Sequence, residues 1–315
     1  MSAHPSQLSV GAFDTSNPRV PVTLPQLFEK KRLGEPIVMV TAYDFPGARV
    51  AELAGVDLVL VGDSGAMTVL GYPSTVAVEV DEMLVLAKAA RRGLKTPFLV
   101  VDLPFGSYEL SDEQAIGTAM RFVKEAGCDV VKLERGGVSV ERARAIIRAG
   151  IPVMGHVGLT PQTATALGGY KTQGKTADRA ARIAEEALAL EAAGCFAIVF
   201  EAVPAALSEV LVPKLSVPVI GIGAGAATDG QVLVWHDLLG IHGGHTPRFV
   251  KRFAELRGQM IDAVGEYARE VRARSFPAAE HDYSIDPEEL EAFRRYLDQE
   301  SLADTFGGDW SATEI

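Results

Sequence analysis

The segment AGCDVVKLERGGVSVERARAIIRAGIPVMGH, residues 126–156, carries the pattern that decides the fold. Twice in this segment an Ala-Gly pair ends a helical stretch, and a short apolar run follows and ends in ionisable residues. Glycine commonly closes a helix, and an apolar run without alternation is typical of a strand that is covered on both faces. The segment therefore predicts two parallel strands, at 128–134 and 151–156, with a helix between them.

The same pattern recurs on both sides of this segment. An Ala-Gly pair precedes DLVLVGDS at 57–64 and CFAIVFE at 195–201. Further apolar runs extend the series at 37–43, 97–105 and 218–225, and we place an eighth strand near LLGIHGG, 238–244. All of these runs are short enough to be buried strands rather than helices.

Helical patterns of suitable length separate the runs, at 80–93, 111–127 and 176–194. The first two begin with acidic residues and end with basic ones, which matches the helix dipole. Eight βα units over roughly 210 residues predict an α/β fold of the (β/α)8 TIM barrel type.

Composition excludes several classes of protein. The 315 residues carry a net charge of -11, and 276–315 contain eleven Asp or Glu against two Arg. Neither the nearly neutral body nor this acidic tail has the basic stripe or lysine block that nucleic-acid or anionic membrane binding needs. We therefore expect no nucleic acid and no membrane as partner.

The N-terminal residues and the small number of cysteines indicate a cytoplasmic protein. The first twenty residues lack a basic start and an apolar run, and two cysteines are too few for a disulfide framework. Cys128 and Cys195 both begin apolar runs, so we interpret them as core residues.

Ionisable residues end five successive predicted strands. In a (β/α)8 barrel the carboxyl ends of the strands meet at one face, where such enzymes have their active sites. A single acid at a strand end is usually a helix cap, but five strands with this feature predict a functional site. These residues are Asp63 with Ser64, Asp102, Lys132 with Glu134, His156 and Glu201.

Asp63 and Asp102 follow neighbouring strands and indicate a divalent metal. Two carboxylates without cysteine favour a hard ion with oxygen ligands, hence Mg²⁺. Glu134 is a candidate third ligand, directly or through water. The alternative is that each aspartate caps the helix that follows it.

Lys132 and Glu134 share one strand face, because side chains alternate along a strand. A buried lysine needs a negative partner, either Glu134 or a substrate carboxylate. His156 is as consistent with a structural residue as with a functional one. Glu201 stands between apolar residues, which suits a general base, although a paired core glutamate is the alternative.

A series of motifs, taken together, closely resembles the ketopantoate hydroxymethyltransferase family over residues 23 to about 283. The motifs are TAYD (41–44), VGDS (61–64), DLPF (102–105), VKLE (131–134), GHVGLTPQ (155–162), GGYKTQG (168–174), VFEAVP (199–204), GIGAG (221–225), DGQVLV (229–234), HD (236–237) and GGHTPRFVK (243–251).

This resemblance implies a barrel of the phosphoenolpyruvate/pyruvate-binding type and a reaction in pantothenate and coenzyme A biosynthesis. The reaction moves a one-carbon unit from 5,10-methylenetetrahydrofolate to 3-methyl-2-oxobutanoate and gives 2-dehydropantoate. It also implies one Mg²⁺ per subunit and a large homo-oligomer, commonly a decamer.

The family's site residues carry over onto matching positions of this sequence. Asp63, Asp102 and Glu134 match the metal-site positions, and Glu201 matches the proton acceptor. The oxoacid-binding positions are matched by Asp63, Ser64, Asp102 and Lys132, and His156 matches a histidine near the substrate.

The domain organisation predicted in this way has three parts. Residues 1–22 form a flexible N-terminal segment, 23–283 the catalytic barrel, and 284–315 an acidic extension. Within the extension, the start of a helix is indicated by Asp286, Pro287 and Glu289, and apolar residues recur every three or four positions. We therefore predict one short amphipathic helix there.

Three other functions stay open from the sequence. One is a Mg²⁺-dependent oxoacid carbon–carbon lyase on the same barrel, a group that usually places a reactive cysteine in a mobile loop. Another is a nicotinamide dehydrogenase, because Gly221, Gly223 and Ala226 match the dinucleotide pattern weakly. The last is a barrel without catalytic activity that serves as a scaffold.

Overall fold

The computed structural model describes residues 19–244 and 246–299, and its centre is a closed barrel of parallel strands in the order β1 to β8. Most of the predicted flexible segment, 1–18, and residues 300–315 of the extension lie outside this description. The strands are β1 (Ile37–Thr41), β2 (Leu58–Val61), β3 (Phe98–Asp102), β4 (Val130–Lys132), β5 (Val153–Gly158), β6 (Ala197–Glu201), β7 (Val219–Ile222) and β8 (Gly230–Leu233).

Helices connect most of the strands. The three predicted helical stretches are present, the second with Ser111 as its cap and with a π-helical last turn at Phe122–Ala126. The α-helices are α1 (Leu24–Leu33), α2 (Phe45–Ala54), α3 (Gly65–Thr68), α4 (Val80–Gly93), α5 (Asp112–Arg121), α6 (Val138–Arg148), α7 (Ala164–Leu167), α8 (Ala177–Ala193), α9 (Ala205–Leu211), α10 (Trp235–Leu238), α11 (Leu256–Ala273) and α12 (Pro287–Gln299).

The predicted (β/α)8 barrel is confirmed, but the predicted position of its eighth strand is wrong. β8 is Gly230–Leu233, whereas Leu238 ends α10 and the following residues form a loop. Gln231 is exposed in β8, so this strand lacks the continuous apolar run of the others. At Gly230 a Cβ atom would lie 2.4 Å from the Ile37 carbonyl oxygen, so glycine is needed where β8 meets β1.

Alternation along the strands places the ionisable residues on the inside of the barrel. Val100, Val130, Met154 and Val199 belong to the apolar cluster that fills the barrel interior. Side chains two positions apart lie on the same face of a strand. The inner face of each of these strands therefore continues, two residues later, into Asp102, Lys132, His156 and Glu201.

The chain divides into two compact units between Arg257 and Gly258. The first contains the whole barrel, and the second contains α12, which starts with Asp286 accepting a 2.8 Å hydrogen bond from the Glu288 backbone N–H. The predicted boundary at residue 283 stays a prediction. Within the described residues, no helix has the length and apolarity that a membrane crossing requires.

Candidate active site

A cavity of about 600 Å³ opens at the carboxyl ends of the strands. Its volume is in the range typical of sites for small molecules. Every site residue predicted from the sequence lines it, so the structure brings together Asp63, Ser64, Asp102, Lys132, Glu134, His156 and Glu201.

Asp63, Asp102 and Lys132 form the first part of the site. The backbone N–H of Asp63 donates a 3.0 Å hydrogen bond to Asp102 Oδ2, and Lys132 Nζ lies 2.7 Å from Asp102 Oδ1. Asp102 and Lys132 are direct partners in the β3–β4 register, which explains this pairing. The buried lysine therefore pairs with Asp102 rather than with Glu134, the protein partner considered from the sequence.

The helix-cap alternative does not hold for these two aspartates. The helix after Asp102 is α5, and its cap is Ser111. Asp63 precedes α3, but its carboxylate accepts a 3.1 Å hydrogen bond from the Gln162 side-chain amide. Both carboxylates are thus turned to the cavity and not to a helix end.

His156 lies between two glutamates in the second part of the site. Its Nδ1 is 3.3 Å from Glu134 Oε1 and its Nε2 is 3.3 Å from Glu201 Oε2. β5, which carries His156, pairs with β4 on one side and β6 on the other, so the imidazole bridges their ends. His156 and Glu134 have 2% of their side-chain surface exposed, whereas Glu201 has 16% and is reached from the cavity.

Burial and neighbouring charge shift the pKa values of the site. Burial and the charges of Glu134 and Asp102 raise the pKa of Asp63 well above its usual value. Burial also raises the pKa of Asp102, although Lys132 opposes this shift. Burial disfavours the charge of Lys132, yet Asp102, Glu134 and Asp63 raise its pKa.

The pKa of His156 rises to about 9. Burial and the charge of Lys132 disfavour its protonation, but the contacts with Glu134 and Glu201 outweigh them. Burial alone would raise the pKa of Glu134, yet the hydrogen bond and charge of His156 lower it. His156 is therefore an imidazolium held between two carboxylates at neutral pH.

This arrangement predicts a pH dependence of stability in the metal-free protein. The folded pKa of about 9 lies above the ordinary 6.5, so the stabilisation is fully present below pH 6.5 and is lost as the pH rises through 9. The loss is roughly 3 kcal/mol at most. Urea unfolding in EDTA at both ends of this range measures it. His156→Gln should flatten the profile, and an equally steep profile in that variant would contradict the assignment.

The residues present fit a divalent cation. The carboxylates of Asp63, Asp102, Glu134 and Glu201 outnumber the neighbouring cationic side chains of Lys132 and His156, and a divalent cation relieves such an excess. In the described part of the chain, no three His, Cys, Asp or Glu side chains form a ready-made metal cluster. Mg²⁺ usually takes one or two carboxylates and keeps its waters, which the neighbouring Asp63 and Asp102 satisfy.

Ser64 lies beside Asp63 at the cavity wall. Its Oγ is 2.8 Å from the hydroxyl oxygen of Tyr43, the third residue of the first motif, TAYD. A Cβ atom at Gly62 would lie 2.9 Å from this Oγ, so the glycine of VGDS makes room for the serine.

Sequence reasoning missed Tyr43, Tyr108 and Gln162. The 2.7 Å hydrogen bond from the Tyr108 hydroxyl to Gln162 Oε1 joins two residues that are 54 positions apart. The signal that could have found them was position in the sequence, because Tyr43 and Gln162 lie in motifs that begin within β1 and β5 and extend beyond their carboxyl ends.

Two alternatives lose their support from the structure. Cys128 and Cys195 are buried free thiols, and burial raises the pKa of each to about 12, so neither is a reactive cysteine. The glycine loop after β7 leads directly into β8, whereas a dinucleotide-binding loop opens a helix. Gly223 instead makes room for Phe249, which a Cβ atom would approach to 2.6 Å.

The closed barrel and the ionisable cluster at its strand ends define a (β/α)8-barrel enzyme. A family model described as ketopantoate hydroxymethyltransferase matches residues 21–279. The chain therefore belongs to the ketopantoate hydroxymethyltransferase family, as its motifs predicted.

Bacterial relatives named 3-methyl-2-oxobutanoate hydroxymethyltransferase support this assignment. The Thermus thermophilus relative is 54% identical, covering 79% of this chain and 95% of its own. The Heliobacterium modesticaldum relative is 50% identical, and the match covers 85% of this chain and 97% of its own. The relative from Anaeromyxobacter sp. strain K is 46% identical and covers 98% of this chain and 99% of its own, so this match includes most of the acidic extension.

Solved structures with low sequence identity share the fold. A phosphonopyruvate hydrolase in complex with oxalate and Mg²⁺ has a TM-score of 0.55 at 14% identity, covering 91% of this chain and all of its own. A 2,3-dimethylmalate lyase, described as a PEP mutase/isocitrate lyase superfamily member, has a TM-score of 0.51 at 17% identity. The match covers 90% of this chain and 99% of its own. They confirm the predicted (β/α)8 barrel fold.

Proposed function

We propose that the protein transfers a hydroxymethyl unit from 5,10-methylenetetrahydrofolate to 3-methyl-2-oxobutanoate and forms 2-dehydropantoate, with Mg²⁺ as its metal. The observation that carries this proposal is the meeting, in one cavity, of the Glu201–His156–Glu134 contacts with the Asp102–Lys132 ion pair. A partly exposed carboxylate and a carboxylate–lysine pair in one cavity suit proton removal from a bound oxoacid.

Each side chain has a distinct role in this proposal. Asp63 and Asp102 hold Mg²⁺, and Glu134 contributes directly or through water. The metal, when bound, supplies Lewis acidity that stabilises negative charge on the oxoacid oxygens. Lys132 and the Ser64 hydroxyl bind the oxoacid carboxylate, and His156 orients Glu201 next to the substrate.

The proposed reaction begins with removal of a proton from the oxoacid and ends with transfer of the carbon unit. Glu201 takes the C3 proton of the oxoacid, and the electron pair of that bond forms the enolate. C3 then bonds to the carbon that the folate donates, while the bonds from that carbon to the folate nitrogens break. One water is consumed, because its oxygen becomes the hydroxyl of the product, and tetrahydrofolate leaves with the nitrogens protonated.

The walls of the cavity support a second, larger substrate. Met67, Tyr170 and Phe249 line it together with the ionisable residues. All three are between 36% and 55% exposed, so they present apolar and aromatic surface to the opening. Such surface suits the flat ring system of a folate.

A turnover assay tests the proposed function. The purified protein is given 3-methyl-2-oxobutanoate, Mg²⁺ and 5,10-methylenetetrahydrofolate, and 2-dehydropantoate is measured by mass spectrometry. We expect product only with all three, and none after EDTA treatment until Mg²⁺ is restored. Binding of the oxoacid without folate-dependent product would overturn the proposal and favour the carbon–carbon lyase.

We also propose a large homo-oligomer, which the family resemblance implies. Met260, Ile261 and Val264 of α11 are each more than half exposed in the single chain, which supports further association. Sedimentation velocity measures the subunit number. A cytoplasmic location is likewise a proposal, which the two buried free cysteines support.

Deletion of residues 284–315 is expected to leave kcat nearly unchanged. Every residue to which we assign a role in catalysis or substrate binding lies between 63 and 249, within the first unit. Phe293 and Leu297 are 52% and 40% exposed in α12, and we expect them to dock on the barrel helices or on a neighbouring subunit. The truncated protein should therefore show a lower Tm or solubility. A folded, assembled truncation without activity would assign the extension to the active site.

A further inference from the structure

Gln162 is a buried glutamine in the loop after β5 that joins the loops of three neighbouring strands. Its side-chain Nε2 donates hydrogen bonds to Asp63 Oδ2 at 3.1 Å and to the Leu103 carbonyl oxygen at 3.0 Å. Its backbone N–H donates to Glu134 Oε2 at 3.0 Å. One residue thus contacts carboxylates from the ends of β2 and β4 and the backbone that follows β3.

The orientation of the Gln162 amide is determined by its partners. The Asp63 carboxylate and the Leu103 carbonyl oxygen only accept hydrogen bonds, so the side of the amide that faces them must be the NH₂ group, and Oε1 accepts the Tyr108 hydroxyl hydrogen at 2.7 Å. The two N–H bonds then point to Asp63 and Leu103, so both donors of the amide are engaged within the protein. Gln162 is 4% exposed, and unpaired amide atoms at that depth would be costly.

The backbone around Gln162 is equally constrained. It lies in the 3₁₀ turn Pro161–Thr163, where the Thr163 N–H donates to the Thr160 carbonyl oxygen at 3.0 Å. The hydroxyl oxygens of Thr160 and Thr163 are 2.6 Å apart and brace the same turn. The donors of Gln162 are therefore presented from a rigid support.

A neutral donor is the suitable residue at this place. Asp63 and Glu134 are both carboxylates, and an arginine or lysine between them would neutralise the charge that attracts a cation. The side-chain amide of Gln162 orients Asp63, and its backbone N–H orients Glu134, without adding charge. Residues that hold metal-binding carboxylates by hydrogen bonds commonly affect metal affinity 10–100-fold.

We infer that Gln162, held by Tyr108, is a positioning residue that sets the carboxylates of Asp63 and Glu134 for a divalent cation. This inference rests on the proposed function, because it requires the metal site of that proposal. Gln162 itself contacts neither the cation nor the substrate.

The test measures Mn²⁺ and Mg²⁺ affinity by calorimetry, with thermal unfolding of each variant in parallel. Gln162→Met keeps the length of the side chain but removes its hydrogen bonds, and it should weaken metal binding about 10–100-fold. Tyr108→Phe frees the amide to turn and should weaken binding about threefold or more. The double variant should be no weaker than Gln162→Met alone, because both residues act through one network.

Two further variants separate positioning from charge and from general destabilisation. Gln162→Glu adds a negative charge but cannot donate to Asp63, so we expect weaker metal binding, whereas a site governed by charge alone would bind more tightly. Gln114→Met is the matched control. Gln114 also bonds backbone groups, with its Oε1 3.0 Å from Leu110 N and its Nε2 2.8 Å from Gly106 O, outside the cavity. It should leave metal affinity unchanged.

Steady-state kinetics should likewise separate weaker metal binding from a loss of catalysis. In Gln162→Met the Mg²⁺ concentration for half-maximal rate should rise, while kcat at saturating Mg²⁺ stays near the wild-type value. Wild-type metal affinity in Gln162→Met and Tyr108→Phe would overturn the inference alone. Absence of metal binding by the wild-type protein would overturn the metal site of the proposed function and this inference with it.

Discussion

Asp102→Asn is expected to lower kcat/KM by about 10³-fold or more, the equivalent of about 4 kcal/mol of transition-state stabilisation. The substitution keeps the shape of the side chain but removes the charge that faces Lys132 Nζ at 2.7 Å and the Asp63 N–H at 3.0 Å. In our proposal the Mg²⁺ site then loses one carboxylate ligand, and the buried lysine loses its counterion. The measurement is turnover as a function of Mg²⁺ concentration, together with metal affinity by calorimetry.

Asp57→Asn provides the matched control. Asp57 also accepts a backbone N–H, that of Val38 at 2.9 Å, and also pairs with a lysine, Lys30 at 3.2 Å. It precedes β2, at the end of the barrel opposite to the site, so its loss should reduce stability and leave kcat/KM and Mg²⁺ affinity unchanged. Wild-type activity of Asp102→Asn at limiting Mg²⁺ would show that the ligand assignment is wrong.

Glu201→Gln is expected to lower kcat by 10²–10⁴-fold, the usual cost of removing a general base. The amide keeps the size of the side chain next to His156 but cannot accept a proton from the substrate. Exchange of the C3 proton of 3-methyl-2-oxobutanoate with solvent deuterium, followed by NMR, reports this step without the folate. Exchange should cease, while Mg²⁺ and oxoacid binding measured by calorimetry are retained.

His156→Gln serves as the comparison for the base. In our proposal His156 only orients Glu201, so its loss should slow the exchange less than the loss of Glu201. Undiminished exchange in Glu201→Gln, together with abolished exchange in His156→Gln, would transfer the role of base to the histidine. The 3.3 Å contact between them makes this the specific competing assignment.

Much of the site could be predicted because strand periodicity and barrel topology act together. Once Val100, Val130, Met154 and Val199 are recognised as inward-facing, the residues two positions later must point into the mouth of the barrel. The misplaced eighth strand shows the limit of this reasoning. Gly230 and the exposed Gln231 of β8 carry no apolar run, and their position in the sheet is set by parallel pairing with β1.

The sequence by itself determined the (β/α)8 class, the family and the set of ionisable residues at the strand ends, since apolar periodicity and motifs are local properties of the chain. Only the tertiary structure decided which of these residues meet. The pairing of Lys132 with Asp102, the place of His156 between Glu134 and Glu201, and the contacts of Gln162 depend on strand register and loop packing. Register and closure of the barrel are set by the packing of all strands together, so distances between side chains on different strands cannot be obtained from any one segment.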